Sequence, residues 1–253
     1  MARIIAFSNQ KGGVGKTTSC VNIAAALGAM GKKVLLVDYD PQGNATSGVG
    51  IDKRALSNTV YDVLTRGISP KQAILATAYQ NLWLLPSKTD LAAAEIELAG
   101  QFSKENNPLS RLLEVKFDYD YILIDCPPSL GFLTLTALSL SDGVVVPLQC
   151  EFFALEGLSQ LLPSIKRVRQ AYNPGLQLVG ILPTMFNGRL TLTRQVIEEI
   201  KKYYPSKLFK TPISRSVRLS EAPGFGMPIQ YLDPKCRSAQ EYNQVARELT
   251  ERI

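Results

Sequence analysis

The sequence predicts an α/β fold, a single doubly wound and mostly parallel sheet flanked by helices, and three observations carry that reading. Short apolar, β-branched runs alternate with longer helical patterns along the 253 residues. Those runs are near-continuously hydrophobic, as parallel strands covered by helices on both faces must be. Between the first run and the first helix lies a glycine-rich turn, QKGGVGKTT at 10–18, in the strand–loop–helix setting of a phosphate-binding P-loop.

In chain order the strands are expected at 4–8, 33–38, 82–86, 121–125, 143–147 and 178–183. Helices are expected at 16–30, 91–99, 109–115, 132–140, 155–171 and 191–203. A last helix at 239–252 carries Tyr242, Val245, Ala246 and Leu249 on one narrow stripe, with Glu, Gln and Arg on its other faces. That stripe is expected to dock on the domain. The segment 40–70, rich in Gly, Asn, Thr and Ser, is the least regular. It follows a strand's C-terminal end, where open α/β sheets bind ligands. The whole chain, 1–253, reads as one domain.

Composition excludes several classes. No run approaches the roughly 18 apolar residues of a membrane-spanning helix, and the apolar start is too short for a secretory signal. A cytoplasmic address is expected. The four cysteines (Cys20, Cys126, Cys150, Cys236) form no close pair and histidine is absent, which leaves a zinc site little to work with. They are expected to be reduced thiols in small core or loop positions. The formal charge of +6 conceals an asymmetry: residues 1–159 carry −2 and residues 160–253 carry +8. A basic C-terminal half suits a polyanion, either nucleic acid or an anionic membrane surface.

The turn supplies a phosphate cradle. Gln10 stands where a P-loop has its first glycine, and Gly12, Gly13 and Gly15 let backbone amides turn towards phosphate oxygens. Lys16 can reach the β and γ phosphates, and the Thr17 hydroxyl can ligate Mg²⁺. Lys11 is a second cation in a loop already served by Lys16. It can lie over its own nucleotide or reach one in a facing subunit, as an arginine finger does. The spacing leaves both open. Two strands end in carboxylates: VLLVDYD brings Asp38 and Asp40 to the end of one, and YILID ends in Asp125. Asp125 has the form of a Walker B residue, which holds Mg²⁺ directly or through water. An aspartate at a strand end also serves as a cap or turn former. Residue types alone do not choose between Asp38 and Asp40 as the group that orients an attacking water.

Five segments in order, KGGVGKTT, VDYDPQGNATSG, DCPPSLG, PLQCEFFALEGLSQL and SVRLSEAPGFGMPI, resemble the ParA family of deviant Walker A partitioning ATPases, in particular its chromosomal Soj type. The resemblance spans nearly the whole chain. It implies ATP and Mg²⁺ as cofactors and an ATP-bound homodimer that sandwiches two nucleotides. It also implies sequence-independent binding of double-stranded DNA, and release on hydrolysis stimulated by a ParB-type centromere-binding protein. The place of action would be the nucleoid. Residue by residue, Lys11 matches the lysine that enters the partner's site, and Gly12 a position where a side chain would obstruct dimer closure. Lys16 and Thr17 match the phosphate and magnesium residues, within a nucleotide-binding loop that also includes Gly13, Val14, Gly15 and Thr18. Asp40 matches the aspartate that supports water attack and Asp125 the Walker B aspartate; with Thr17 they are the candidate magnesium ligands. Arg189 and Arg218 match residues that contact DNA, and both lie in the basic half. Two departures stand out. Asn187 replaces an aspartate in TMFNGR, and the base-binding loop reads Ile213-Ser214-Arg215 with its proline earlier, at Pro212.

Other users of this loop fit less well. A MinD-like membrane switch needs an amphipathic basic tail with bulky apolar residues, whereas this chain ends in ARELTERI. A nitrogenase-type reductase needs two suitably spaced cysteines, small-molecule ligation or amidation a second-substrate pocket, and a bacterial tyrosine kinase a tyrosine-rich tail. With the first strand starting by Arg3, no helix-turn-helix reader is expected to precede it. DNA binding is therefore expected to rest on phosphate contacts and to fall steeply with salt.

Overall fold

A computed structural model describes residues 1–98, 100, 102–103 and 105–253. Among these, seven strands form one sheet: β1 (Arg3–Phe7), β2 (Val34–Asp38), β3 (Leu75–Ala76), β4 (Leu82–Leu85), β5 (Tyr121–Asp125), β6 (Gly143–Gln149) and β7 (Gln177–Thr184), in spatial order β3-β4-β2-β5-β1-β6-β7. Every pairing is parallel except β3 with β4. The doubly wound arrangement follows from β2 and β5, whose residues are all buried and therefore need helices on both faces. Ile122, Leu123 and Ile124 are wholly buried, each contributing about 1.5–3 kcal/mol relative to exposure.

One face is covered by α3 (Val60–Thr65), α4 (Leu91–Leu98), α5 (Phe132–Leu140), α6 (Ala154–Ala171) and α7 (Thr191–Tyr203). The other carries α1 (Lys16–Ala29) and α10 (Arg237–Arg252), where Tyr242, Val245, Ala246 and Leu249 share an apolar cluster with Ile23, Ala24 and Leu27. The stripe at the chain's end does dock.

Differences from expectation cluster in short elements. The predicted helix at 109–115 is a 3-10 helix, Pro108–Val115. The last residue of the helix predicted at 91–99, Ala99, lies outside the described residues. Segment 40–70 contains α2 (Asn44–Gly48), a 3-10 turn at Lys53–Ala55, and α3 opened by a Thr59–Asp62 capping box. Also unanticipated were β3, α8 (Val217–Glu221) and α9 (Ile229–Leu232). Elements of two to six residues span too few turns or alternations to leave a periodicity.

The register sets up the site. Phe7 and Asp38 both pair with Asp125, so the ends of β1, β5 and β2 lie side by side. The chain leaves β1 for the glycine turn at this central edge, where the winding of the sheet reverses.

Candidate active site

The cradle is shaped by backbone conformations that favour glycine. Gly13 and Gly15 have φ of 74° and 82°, which a side chain would strain. Gly15 precedes α1; no side chain caps that helix and its first turn has no acid. The helix's first amides and the positive end of its dipole are thus left for an anion. Two anchors hold the loop. The Asn9 side-chain amide donates to Pro147 O (2.8 Å) while its oxygen accepts from Lys11 N (3.1 Å), and the Thr184 hydroxyl donates to Val14 O (2.8 Å). Lys16 is buried and its ammonium donates to Lys11 O at 3.1 Å. Burial lowers its pKa, opposed by the charges of Asp125 and Asp40.

The carboxylates divide the work. Asp38 is fully buried: Oδ2 accepts from both Thr46 N and Thr46 Oγ at 2.7 Å, and Oδ1 accepts from Asp40 N at 3.3 Å. Burial pushes its carboxyl up to about 6 against the pull of those bonds. Asp40 lines the cleft beside the loop, and its Oδ1 accepts from Gln42 N at 2.9 Å. Asp125 is fully buried, and neither carboxylate oxygen has a hydrogen-bond partner at ordinary distance. Burial and then the charge of Asp38 raise its pKa well above the carboxylate range, while Thr17 and Lys16 act in the opposite direction. A buried, unpartnered carboxylate is costly unless something positive compensates it. A divalent cation near the Thr17 hydroxyl would do so. Among the described residues no cluster of three acidic or thiol side chains forms a metal cage.

The cleft holds about 470 Å³. The phosphate loop forms one wall; Ile213, Ser214, Arg215 and Ser216, with Leu219 and Tyr242, contribute to the other. Of the predicted site residues, Gly12, Gly13, Gly15, Lys16, Thr17, Thr18 and Asp40 line this cleft. Val14 is buried behind the loop and Asp125 beneath it. Pro212 is half-buried and outside the lining, which begins with the next residue. Lys11 is also outside it, its ammonium 3.1 Å from Glu151 at the start of the β6–α6 connection. Arg189 borders an adjoining hollow that shares Ser214 and Arg215 with the cleft. Arg218 is exposed on α8, 3.4 Å from Glu221.

Sequence reading missed the residues that hold the far wall. It set the glutamates of α10 on faces other than the apolar stripe and gave them no role, yet Glu241 and Glu248 are buried. Glu241 accepts from Ser214 N (2.8 Å) and Ser214 Oγ (2.6 Å); Glu248 accepts from Lys210 N (2.8 Å) and Thr211 N (2.9 Å). Their seven-residue spacing, each just before a stripe residue, was the available signal. The departure at Ser214 is thereby a hydroxyl tied to α10, and Asn187 forms a local turn by accepting from Arg189 N at 3.1 Å.

A family model described as an AAA domain matches residues 2–178. The chain is 54% identical over 250 residues to the sporulation initiation inhibitor protein Soj of Bacillus subtilis, covering 98% of each. It is 46% identical to the chromosome-partitioning ATPase Soj of Treponema pallidum, over 100% of this chain and 98% of that one. The chain belongs to the ParA family of partitioning ATPases. Fold comparison places this ParA homologue beside a Mycobacterium smegmatis structure described as cobyrinic acid a,c-diamide synthase with bound ATP analogue and magnesium. There the TM-score is 0.86 and the identity 38%, over 99% of this chain and 95% of the other. The doubly wound sheet expected from the sequence is the fold of this P-loop class, and the chain is an ATPase. No helix among the described residues is long and apolar enough to cross a membrane.

Proposed function

We propose that this ParA homologue is an ATP-driven switch for partitioning DNA. It binds ATP with Mg²⁺, pairs as an ATP-bound sandwich homodimer, and in that state binds double-stranded DNA without sequence preference. Hydrolysis stimulated by a ParB-type partner then releases it. One domain carries the whole cycle, in the cytoplasm and on the nucleoid. Lys16 and the α1 amides hold the phosphates, Thr17 and Asp125 the metal, and Asp40 supports the attacking water. When bound, Mg²⁺ neutralises charge on the phosphates.

The observation that carries the reading is the deviant loop in a chain with partitioning relatives across its length. Two features support the finer parts. A Cβ added at Gly12 would meet no atom within 4 Å, so an obstruction there would arise with something outside the chain, such as a second subunit. The hollow bordered by Arg189 adjoins the nucleotide cleft through Ser214 and Arg215, a short path between nucleotide state and a phosphate backbone.

The test is co-sedimentation with DNA in the presence of ATP, ADP or no nucleotide, across a salt series. Binding with ATP alone, weakening steeply as salt rises, is expected. Equal binding in all three states would refute the switch. No DNA binding in any state would favour amidation of a small molecule, the activity in the name of the Mycobacterium smegmatis protein.

A further inference from the structure

Asp40 is held by a closed ring of hydrogen bonds through two residues outside the nucleotide cleft. The Thr46 hydroxyl donates to Asp38 Oδ2 (2.7 Å) and accepts from Ser87 N (3.0 Å). The Ser87 hydroxyl donates to Asp40 O (2.9 Å), and Asp40 N donates back to Asp38 Oδ1 (3.3 Å). Asp38, Thr46 and Ser87 have no solvent exposure, and Asp40 retains 7%. No water competes for these bonds. The ring joins the end of β2, the helix α2 and the connection after β4.

Proton positions in the ring follow from chemistry. An ionised carboxylate only accepts, and a hydroxyl has one proton. The Thr46 proton therefore goes to Asp38, leaving a lone pair for Ser87 N–H, and the Ser87 proton goes to the carbonyl of Asp40. Both backbone polar groups of Asp40 are thus fixed, one on each side of its Cα. With Gln42 N on its Oδ1, the side chain is aimed as well. The close approach has its own requirement: Gly43 has φ of 63°, and a Cβ there would lie 2.7 Å from Ser87 O.

We propose that Thr46 and Ser87 are positioning residues for ATP hydrolysis, holding Asp40 where it can orient the attacking water. The inference rests on the reading of Asp40 as that carboxylate. A catalytic group must be held within fractions of an ångström, by neighbours whose own conformations are locked. Neither Thr46 nor Ser87 lines the cleft, so their loss acts on turnover and not on nucleotide contact.

The experiment compares Thr46→Val, which keeps the shape and loses the hydroxyl, with Thr46→Ser, which keeps the hydroxyl. Ser87→Ala and Asp40→Ala are run beside them. Steady-state ATPase kinetics, titration with a fluorescent ATP analogue and melting curves are recorded for each. Thr46→Val and Ser87→Ala are expected to lower kcat on the order of tenfold to a hundredfold, the scale of small misplacements. KM and analogue affinity should stay at the natural values, and Thr46→Ser should restore kcat. In an Asp40→Ala background, Thr46→Val should lower kcat no further. If Asp40→Ala abolishes turnover while folded Thr46→Val and Ser87→Ala keep natural kcat, the positioning role is overturned. Loss of kcat and affinity together, unrescued by Thr46→Ser, also overturns it, since that is general loosening. Natural kcat in Asp40→Ala would overturn the underlying reading of Asp40 instead. Should Thr46→Val not fold, Ser87→Ala, which loses one bond to a carbonyl, decides alone.

Discussion

Replacing Glu241 by alanine tests whether α10 holds the far wall of the nucleotide cleft. The carboxylate accepts from Ser214 N at 2.8 Å and Ser214 Oγ at 2.6 Å and pairs with Arg237 Nε at 2.7 Å. Hydrogen bonds to a charged group are worth about 1.5–3 kcal/mol each when their partner is left behind without water. Ser214 is only half-buried, so water replaces part of that loss. The Arg237 side chain is 76% exposed, and its ion pair adds little. Together the loss is about 2–4 kcal/mol. At roughly 2–4 °C per kcal/mol for a chain near this size, Tm should fall by about 4–16 °C. Glu241→Gln keeps an acceptor for Ser214 N and can donate to Ser214 Oγ but loses the charge, so it should fall between. Calorimetric melting without nucleotide measures the shift, and titration with an ATP analogue should show weaker binding because Ser214 lines the cleft. An alanine variant that melts with the natural protein and binds the analogue equally would refute the clamp.

Lys16→Ala should abolish binding of the ATP analogue, since no other ammonium enters the loop from α1; unchanged affinity in the titration would contradict the phosphate assignment. Gly12→Val should fold and melt as the natural protein does, because a Cβ at Gly12 would meet no atom of the described residues within 4 Å beyond its chain neighbours. Analytical ultracentrifugation with ATP should then find only monomer, where the natural chain gives dimer. Arg189→Glu should lose DNA mobility shifts while still dimerising with ATP, and a variant that shifts DNA as well as the natural chain would exclude Arg189 from the interface.

Legibility differed sharply between the two walls of the cleft. The phosphate side could be read because its chemistry is local. Glycines, Lys16 and Thr17 fall at fixed offsets between a strand and a helix, and backbone geometry makes those offsets meaningful. The opposite wall was not legible because its partners are distant in sequence: Ser214 is 27 residues from Glu241, and Lys210 is 38 from Glu248. Pro212 drew attention as the loop's proline, yet the wall begins at Ile213. Nothing local marked the glutamates of α10 for burial, because charged residues are mostly exposed. Burial with backbone amides to accept from is the exception that only contact reveals.

By itself the sequence determined the alternating architecture, the strand ends carrying Asp38, Asp40 and Asp125, and the phosphate loop. Each of these follows from periodicity or spacing within a few residues. Spacing left Asp38 and Asp40 open and the family resemblance pointed to Asp40; the tertiary structure supplies the physical difference, with Asp38 spent on Thr46 and the Asp40 amide while Asp40 lines the cleft. It also left the Asp125 carboxylate buried beside the loop with no hydrogen bond at ordinary distance among the described residues and brought Thr46, Ser87, Glu241 and Glu248 to bear on the site. The reason is physical: whether a polar side chain serves as ligand, staple or solvated charge depends on burial and on which donors face it. Both are set by packing between segments far apart in the chain.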